Sequence, residues 1–236
     1  MNPFSRHLWG AAWYLFAGLI FGTLLFCVVV TAATAAAGFA ITLAGLPLLV
    51  GAAGVIRGCA NAERVRTGRF LGEPIVGSYR PVTGKGIMAQ VGTRWKDPAT
   101  WRDLAYLAGL YPLLFVLDTA VFTIWLVLLA GVTAPIWYWA PRQTFDNGTA
   151  AHGLQFGYFP NGPYGHPAYG VFVNSLPEAL LLALGCLILF LLFSPVLQLT
   201  ARAHANVAKM LLRAPSDPLT EAKNVLARPG PLHSLK

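Results

Sequence analysis

The sequence contains 236 residues, of which 56% are hydrophobic and only 11% are charged. Soluble domains average roughly 25% charged residues, so this composition excludes a soluble globular protein and predicts one embedded in a membrane. The net charge of +8 does not require nucleic acid as a partner, because the basic residues are distributed along the chain as in a membrane protein.

The first two predicted spans lie in one uncharged stretch, which runs from Gly10 to Ile56. At 1.5 Å per residue a single helix of this length would measure about 70 Å, whereas the hydrocarbon core of a bilayer is about 30 Å thick. The stretch is therefore predicted to fold back as two spans, near residues 12–33 and 37–56. We place the hairpin at the small residues from Thr31 to Gly38.

Residues 57–103 contain nine Lys and Arg residues and four acidic residues, which predicts a loop outside the lipid. Asp97, followed by proline, is typical of a helix start. That helix is predicted to continue into a third span at about residues 104–131, with a kink at Pro112. Basic residues stand beside apolar ones in 86–102, which favours interfacial helices on the anionic membrane surface.

The fourth span begins at a capping-box pattern formed by Ser175 and Glu178 and covers about residues 177–200. Residues 1–214 are therefore predicted to form a single four-helix membrane domain, and residues 215–236 a cytoplasmic tail.

The orientation follows from the basic residues. Of the 17 Lys and Arg residues, 16 lie near the N-terminus, in 57–103 or in the tail, and only Arg142 lies in the connection 133–175. The positive-inside rule then places both termini and 57–103 in the cytoplasm. We expect an all-α integral protein of a bacterial inner membrane, with four transmembrane helices and both termini cytoplasmic.

The outer connection, residues 133–175, contains ten aromatic residues, six glycines and five prolines. Exposed aromatic surface is unfavourable in water, at roughly 25 cal/mol per Å², so this connection is expected to contact lipid headgroups or another protein. Residues 137–139 suit an interfacial aromatic belt. Docking on a partner or on lipid is assigned to five other aromatic residues: Phe156, Tyr158, Phe159, Tyr164 and Tyr169.

Asp118 is predicted to be a buried polar residue within the third span. A carboxylate at that depth is costly and marks a functional site by default, yet no other predicted span supplies a titratable partner. We expect a hydrogen bond to a threonine such as Thr31, Thr34 or Thr119. Contact with a partner protein and a role in transport stay open as alternatives.

Small residues recur at four-residue spacing, which lets helix backbones approach closely in lipid. The two pairs are Gly18 with Gly22 and Gly54 with Gly58. Packing within the first hairpin and contact with another subunit are the two alternatives.

Motifs of catalysis are absent from the sequence. The three cysteines have no metal-like spacing, and His152 and His166 form a poor metal signal. We expect no enzymatic activity, cofactor or metal. The expected partners are membrane lipids and other membrane-protein subunits, with no nucleic acid.

Three short motifs resemble a known family. They are Ala62-Glu63-Arg64 after the first two spans, the run Asp97-Pro98-Ala99-Thr100-Trp101-Arg102-Asp103-Leu104, and the exit from span four at Pro195 and Leu211-Leu212. Over about residues 1–214 the chain is similar to the sensor domain of actinobacterial membrane proteins.

The resemblance implies an envelope sensor that passes its signal through the last span, often to a histidine kinase that follows it. Only 24 residues follow Leu212 here, too few for a kinase, so a stand-alone form without that output is expected. We therefore expect a non-catalytic accessory or regulatory subunit that docks on a larger membrane complex. A lipid or fatty-acid importer of the mycobacterial MCE type is the assembly most similar in kind.

The alternative is a detached envelope-signal sensor module that acts through a separate signalling partner. A transporter in its own right is disfavoured, because four spans with one buried carboxylate provide no polar pathway.

Overall fold

The computed structural model describes residues 6–42 and 45–214. Four helices are long and apolar enough to cross a membrane, which confirms the prediction of a helical membrane protein with four such helices. In chain order the helices are α1 Arg6–Gly38, α2 Gly45–Leu71, α3 Ile87–Trp95, α4 Pro98–Val132, α5 Ala134–Trp137 and α6 Leu176–Leu212.

The four long helices extend beyond the predicted spans. The hairpin predicted at Thr31–Gly38 is wrong, since α1 stays helical to Gly38 and α2 begins at Gly45. Alanine dominates residues 31–38, and alanine has the highest helix propensity. α2 continues past Ile56 to Leu71 because the charged residues beyond Ile56 include several whose side chains are paired inside the protein.

Both predicted helix starts are confirmed. The Asp97 carboxylate accepts a hydrogen bond from the backbone N–H of Ala99 at 3.0 Å, and proline occupies the first turn of α4. The Glu178 carboxylate accepts a hydrogen bond from the backbone N–H of Ser175 at 3.3 Å, which is one half of a capping box. A π-helical turn at Ala105–Leu110 directly precedes Pro112, whose missing N–H interrupts the helical ladder.

The described residues divide into two compact units. The first unit contains residues 6–16 and 116–201. Trp125 is at the centre of its aromatic core and is 2% exposed. The indole ring meets Trp9 edge-on, with ring centroids 5.5 Å apart, and Phe190 at the same distance.

The second unit contains the described residues among 17–115 and 202–214. Its core joins α1, α2, α4 and α6, and small residues of α2 and α6 are fully buried there, which allows close helix packing. The core residues are Val29, Ile56, Ala60, Tyr106, Leu107, Ala208 and Leu212.

α1 and α4 are antiparallel in each unit. In the second unit Gly22 packs on the Tyr111 ring, while Val29, further along α1, shares a core with Leu107, which is earlier in α4. In the first unit Trp9 contacts Trp125 and Phe16 contacts Phe122.

α2 is the helix that runs parallel to α4. Arg57 of α2 reaches Thr100, and Arg64, two turns later, reaches Asp103. The connection between the two helices therefore has to return along α2. Residues 74–83, which have no assigned helix or strand and which we call the returning segment, do so: Gly77 lies against Arg64, and Tyr79 lies against Arg57.

The outer connection contains two short antiparallel hairpins. Gly157 and Gly170 face each other in the second hairpin, with φ angles of +126° and +140°. A Cβ on Gly157 would lie 2.1 Å from the carbonyl oxygen of Tyr169, so only glycine fits. The paired strands are β1 Arg142–Thr144 with β2 Ala150–His152, and β3 Leu154–Tyr158 with β4 Tyr169–Val173.

We expect Gly157→Ala to open the β3–β4 hairpin, because the strained φ costs about 1–3 kcal/mol and the new methyl group overlaps the opposite strand. Chymotrypsin should then cleave the outer connection faster in detergent micelles. Gly148→Ala is the control, since Gly148 also has a positive φ of +80° but its Cβ would meet nothing within 4 Å. Equal cleavage of both variants would contradict the close approach of β3 and β4.

Candidate functional site: a buried ionic network

One face of α2 carries the candidate site. Arg57, Ala60, Arg64 and Thr67 follow one another at three- and four-residue spacing, so they lie on the same side of the helix. Ala60 and Thr67 are fully buried, and Arg64 is 4% exposed. We call the paired charges of α2, with their partners, the ionic network.

The first group of the ionic network is centred on Arg57. Its guanidinium donates to Asp97 Oδ2 at 3.0 Å and to the Thr100 hydroxyl at 2.9 Å. Asp97 also accepts from the backbone N–H of Arg80 at 3.0 Å. The residue that caps α4 therefore also holds α2 and the returning segment.

The second group is centred on Arg64 and Asp103, which are among the most buried polar side chains of the second unit. Arg64 Nη2 donates to Asp103 Oδ1 at 2.6 Å. Arg64 Nη1 donates to Asn61 Oδ1 at 2.8 Å and to the Tyr79 hydroxyl at 2.6 Å. The Tyr79 hydroxyl in turn donates to Asp103 Oδ2 at 2.6 Å, which closes a three-membered ring of hydrogen bonds.

Tyr79 also separates two cations. The guanidinium carbon of Arg57 lies 4.4 Å from the Tyr79 ring centroid, and that of Arg64 lies 5.2 Å away, which is within the range of cation–π attraction. Burial, with the hydrogen bond to Asp103, raises the pKa of Tyr79 to about 12. The phenol therefore stays a neutral donor over the whole physiological pH range.

The third group joins α2 to α4 and α6 through Glu63. Arg66 Nη2 donates to Glu63 Oε1 at 2.7 Å, and the Tyr106 hydroxyl donates to the same oxygen at 3.0 Å. Tyr106 also contacts His204 Nε2 at 3.1 Å. His204 is 2% exposed, so α6 contributes a buried imidazole at this level of the second unit.

The end of α6 is fixed by the same network. Arg64 Nε donates to the carbonyl oxygen of Leu212 at 2.8 Å, and the backbone N–H of Ala214 donates to Val76 at 3.0 Å. Lys209 forms an ion pair with Glu73. A terminal carbonyl of a helix usually bonds to water or to a local cap, so its capture by a distant buried arginine ties α6 to α2.

Gly77 lets the returning segment pass the Arg64 side chain. A Cβ at this position would lie 2.6 Å from the guanidinium carbon. A larger residue would push the Arg64 guanidinium away from its partners, so glycine suits this contact.

The ionic network is suited to holding α2, the returning segment, α4 and α6 together. Each of the three arginines is paired with a carboxylate, and removing one member of a buried pair costs about 3–5 kcal/mol. Among residues 6–42 and 45–214, no group of three His, Cys, Asp or Glu side chains could hold a metal ion. The network therefore connects α2, the returning segment, α4 and α6 electrostatically.

The predicted docking residues divide into two sets. Phe156 and Tyr158 are half-exposed, and Tyr164 and Tyr169 are 84% and 70% exposed. Phe159 is different, because it is 5% exposed and its ring packs on Phe172 with centroids 6.0 Å apart. Phe159 therefore belongs to the core of the outer connection, and docking remains a prediction for the other four.

The glycine pairs also differ from each other. A Cβ on Gly22 would lie 2.2 Å from the Tyr111 ring, and the Tyr111 hydroxyl donates to the carbonyl oxygen of Gly18 at 3.0 Å. This close approach involves α4, rather than packing within the first hairpin alone. A Cβ on Gly58 would meet nothing within 4 Å, and one on Gly54 only the Arg94 side chain.

Asp118 is buried in the first unit, at 3% exposure. It is not the one titratable residue buried on a long helix, because Glu63, Arg64, Asp103 and His204 are equally buried. Sequence reasoning missed these four because it ended the spans at the first charge. Two signals were present in the sequence. One is the three- and four-residue spacing of Arg57, Ala60, Arg64 and Thr67 along α2. The other is the helical spacing of five residues along α6 that the structure shows to be buried: Ala201, His204, Ala205, Ala208 and Leu212.

Comparison with protein families gives one match. A family model described as "Putative sensor" matches residues 14–212, a range that includes every residue of the ionic network. No curated protein and no solved structure matches the chain.

We expect Asp103→Asn to lower the free energy of unfolding by about 3–5 kcal/mol, because it leaves the Arg64 charge buried without its counter-ion. Glu73→Gln is the matched control: its pair with Lys209 lies near the surface and is worth less than about 1 kcal/mol. Thermal unfolding in detergent measures both. Equal decreases in the free energy of unfolding for the two variants would show that the buried pair contributes no more to stability than the surface pair.

We expect Arg64→Lys to release the end of α6, because one ammonium group cannot reach Leu212, Asn61 and Asp103 together. Trypsin should cleave after Arg213 about fivefold faster or more, since each lost hydrogen bond contributes about 1 kcal/mol. Arg69→Lys, at an exposed position of the same helix, is the control and should leave the rate unchanged. An unchanged rate for Arg64→Lys would contradict the link between α2 and α6.

Proposed function

The chain belongs to the sensor family, and from that premise we propose that it is a non-catalytic membrane sensor module that acts through a separate partner protein. Family membership indicates a sensor-type role, and four apolar helices indicate a multi-pass membrane protein. A module that senses a signal passes it on by changing the state of another molecule.

One observation carries the proposal: the end of α6 is held by side chains of α2 and by the returning segment. Arg64 donates to the Leu212 carbonyl, and Ala214 bonds to Val76. A rearrangement of the ionic network would therefore change the exit of α6 directly. Packed and ion-paired elements of this kind switch between discrete arrangements, which suits them to transmitting a signal.

The proposed membrane is the bacterial inner membrane. The connection 57–103 and the tail carry 15 of the 17 Lys and Arg residues, which supports a cytoplasmic position for both. The ionic network and the exit of α6 would then lie on the side where a signalling partner is available.

The partner reads the module, in our proposal, at the cytoplasmic end of α6 and at the returning segment. Lys85 and Lys96 are exposed nearby and offer cationic contacts to an acidic partner surface or to anionic lipid headgroups. Nothing in this role requires a cofactor, a metal or bound nucleic acid.

A second candidate is an accessory subunit of a larger membrane complex, such as a lipid importer of the MCE type from actinobacteria. The exposed aromatic face of the β3–β4 hairpin favours lateral docking of this kind, since Tyr158 and Tyr169 are register partners and both are exposed. Aromatic side chains are enriched at protein interfaces and at membrane surfaces.

Affinity purification of the full chain from membranes in mild detergent, after crosslinking in cells, tests the proposal. We expect recovery of a histidine kinase or a transcription regulator in fixed stoichiometry, and we expect Arg64→Lys to change the output of that partner while membrane insertion stays normal. Arg69→Lys is the matched control and should leave the output unchanged.

Recovery with transporter subunits would favour the accessory role instead. Recovery of the chain alone, with transport activity after reconstitution in liposomes, would overturn both roles.

A further inference from the structure

α3 is the helix of the second unit that is covered least. None of its nine residues is buried by the part of the chain that the structure describes. Isolated helices shorter than about 12 residues are marginal in water, so a helix of this length needs a covering surface. Ile87 and Met88, at its N-terminal end, are 49% and 68% exposed. The apolar side of α3 is therefore open at that end.

The C-terminal end of α3 is fixed against the apolar half of α2. Arg94 Nη1 donates to the carbonyl oxygen of Val50 at 3.0 Å, and the Trp95 indole donates to that of Leu49 at 2.9 Å. α2 contains no charged residue before Arg57, and it is one of the four helices that are long and apolar enough to cross a membrane. α3 is therefore held beside a helix surface that is suited to lipid.

A pair of tryptophans joins α3 to the start of α4. The ring centroids of Trp95 and Trp101 are 5.6 Å apart, and the Trp101 indole donates to the backbone carbonyl of Trp95 at 2.8 Å. The Trp101 side chain is exposed. Tryptophan is enriched at membrane–water interfaces because its ring has an apolar body and a polar N–H. The exposed Trp101 ring therefore suits the headgroup level of a bilayer.

Basic residues stand at both ends of α3. Residues 74–96 contain four basic residues and no acidic one. Two of the basic residues, Lys85 just before the helix and Lys96 just after it, are exposed. Asp97, the next acidic residue, is buried and paired with Arg57, so it does not neutralise the lysines at the surface. The exposed surface around α3 is therefore both apolar and cationic, which is complementary to an anionic membrane surface.

We propose that α3 lies in the membrane surface and binds the headgroups of anionic phospholipids. Ile87 and Met88 enter the apolar boundary below the headgroups, and Lys85 and Lys96 extend to the lipid phosphates, as long basic side chains do at a membrane surface. An acidic protein surface would also match the lysines. The bilayer is the better occupant, because the apolar half of α2 to which α3 is attached is itself suited to lipid.

This docking surface is joined to the ionic network. Arg57 Nη2 donates to the carbonyl oxygen of Arg94 at 3.4 Å, and Lys96 directly precedes Asp97, the counter-ion of Arg57. A lipid bound at α3 therefore contacts the segment that caps α4. The inference rests on the proposed function only where it names anionic lipid as a signal that the module can sense.

Fluorescence quenching of a label at Met88 tests the proposal. Met88→Cys is made after Cys27, Cys59 and Cys186 have been replaced by Ala, and the new thiol is labelled with a fluorophore. The full chain is then reconstituted in vesicles of phosphatidylcholine and phosphatidylglycerol. Either lipid is supplied in part with a nitroxide at the same acyl position, so the ratio of quenching by the two spin-labelled lipids reports which lipid surrounds the label.

We expect spin-labelled phosphatidylglycerol to quench the label about fivefold more strongly than spin-labelled phosphatidylcholine, since one basic residue near an anionic surface contributes about this factor. Lys85→Gln combined with Lys96→Gln should abolish the preference, because the positive charge is lost. Lys85→Arg combined with Lys96→Arg is the matched control, which keeps the charge and should keep the preference.

Three results would overturn the proposal. Quenching by neither lipid would show that Met88 does not contact the bilayer. Equal quenching by both lipids would show contact without selection of anionic headgroups, and a preference that survives in the glutamine variant would show that the lysines do not cause it. The vesicles contain no partner protein, so each result is separate from the outcome of the crosslinking experiment on the proposed function.

Discussion

The ion pair between Arg64 and Asp103 is the interaction on which the second unit depends. Both side chains are almost completely buried, and a buried charge is tolerated only when its partner and its remaining hydrogen bonds are in place. Four separate segments supply these partners: the start of α4, the end of α6, the returning segment with Tyr79, and α2 itself. The loss of any one of these segments would leave a buried charge without a partner, so the ion pair couples the positions of all four.

Hydropathy was sufficient to predict the four long helices, because lipid demands long apolar stretches and the chain has four. It could not predict where α2 ends. A charged residue in a solvated loop and a charged residue paired on a buried helix face look identical in sequence, and the partners of Arg57 and Arg64 lie about forty positions away. The motifs around Glu63 and Asp97, which carry the family resemblance, turn out to be the same residues that form the ionic network.

The outer connection shows the same limit on a smaller scale. Its composition predicted that the aromatic residues pack against lipid or another protein. Composition could not show which of them pack against one another. The strand register decides this: Tyr158 and Tyr169 pair across the β3–β4 hairpin and stay exposed, whereas Phe159 packs on Phe172. Two facing glycines make that register possible, because their backbones approach more closely than any side chain would permit.

Residues 74–83 have no helix or strand of their own. Their position is held by contacts made at Val76, Tyr79 and Arg80 with residues elsewhere in the second unit. A segment that has no helix or strand of its own loses its ordered conformation once those contacts are lost. Amide hydrogen exchange in this segment should therefore increase as soon as the ionic network is disrupted. The increase should come before any helix of the unit unwinds.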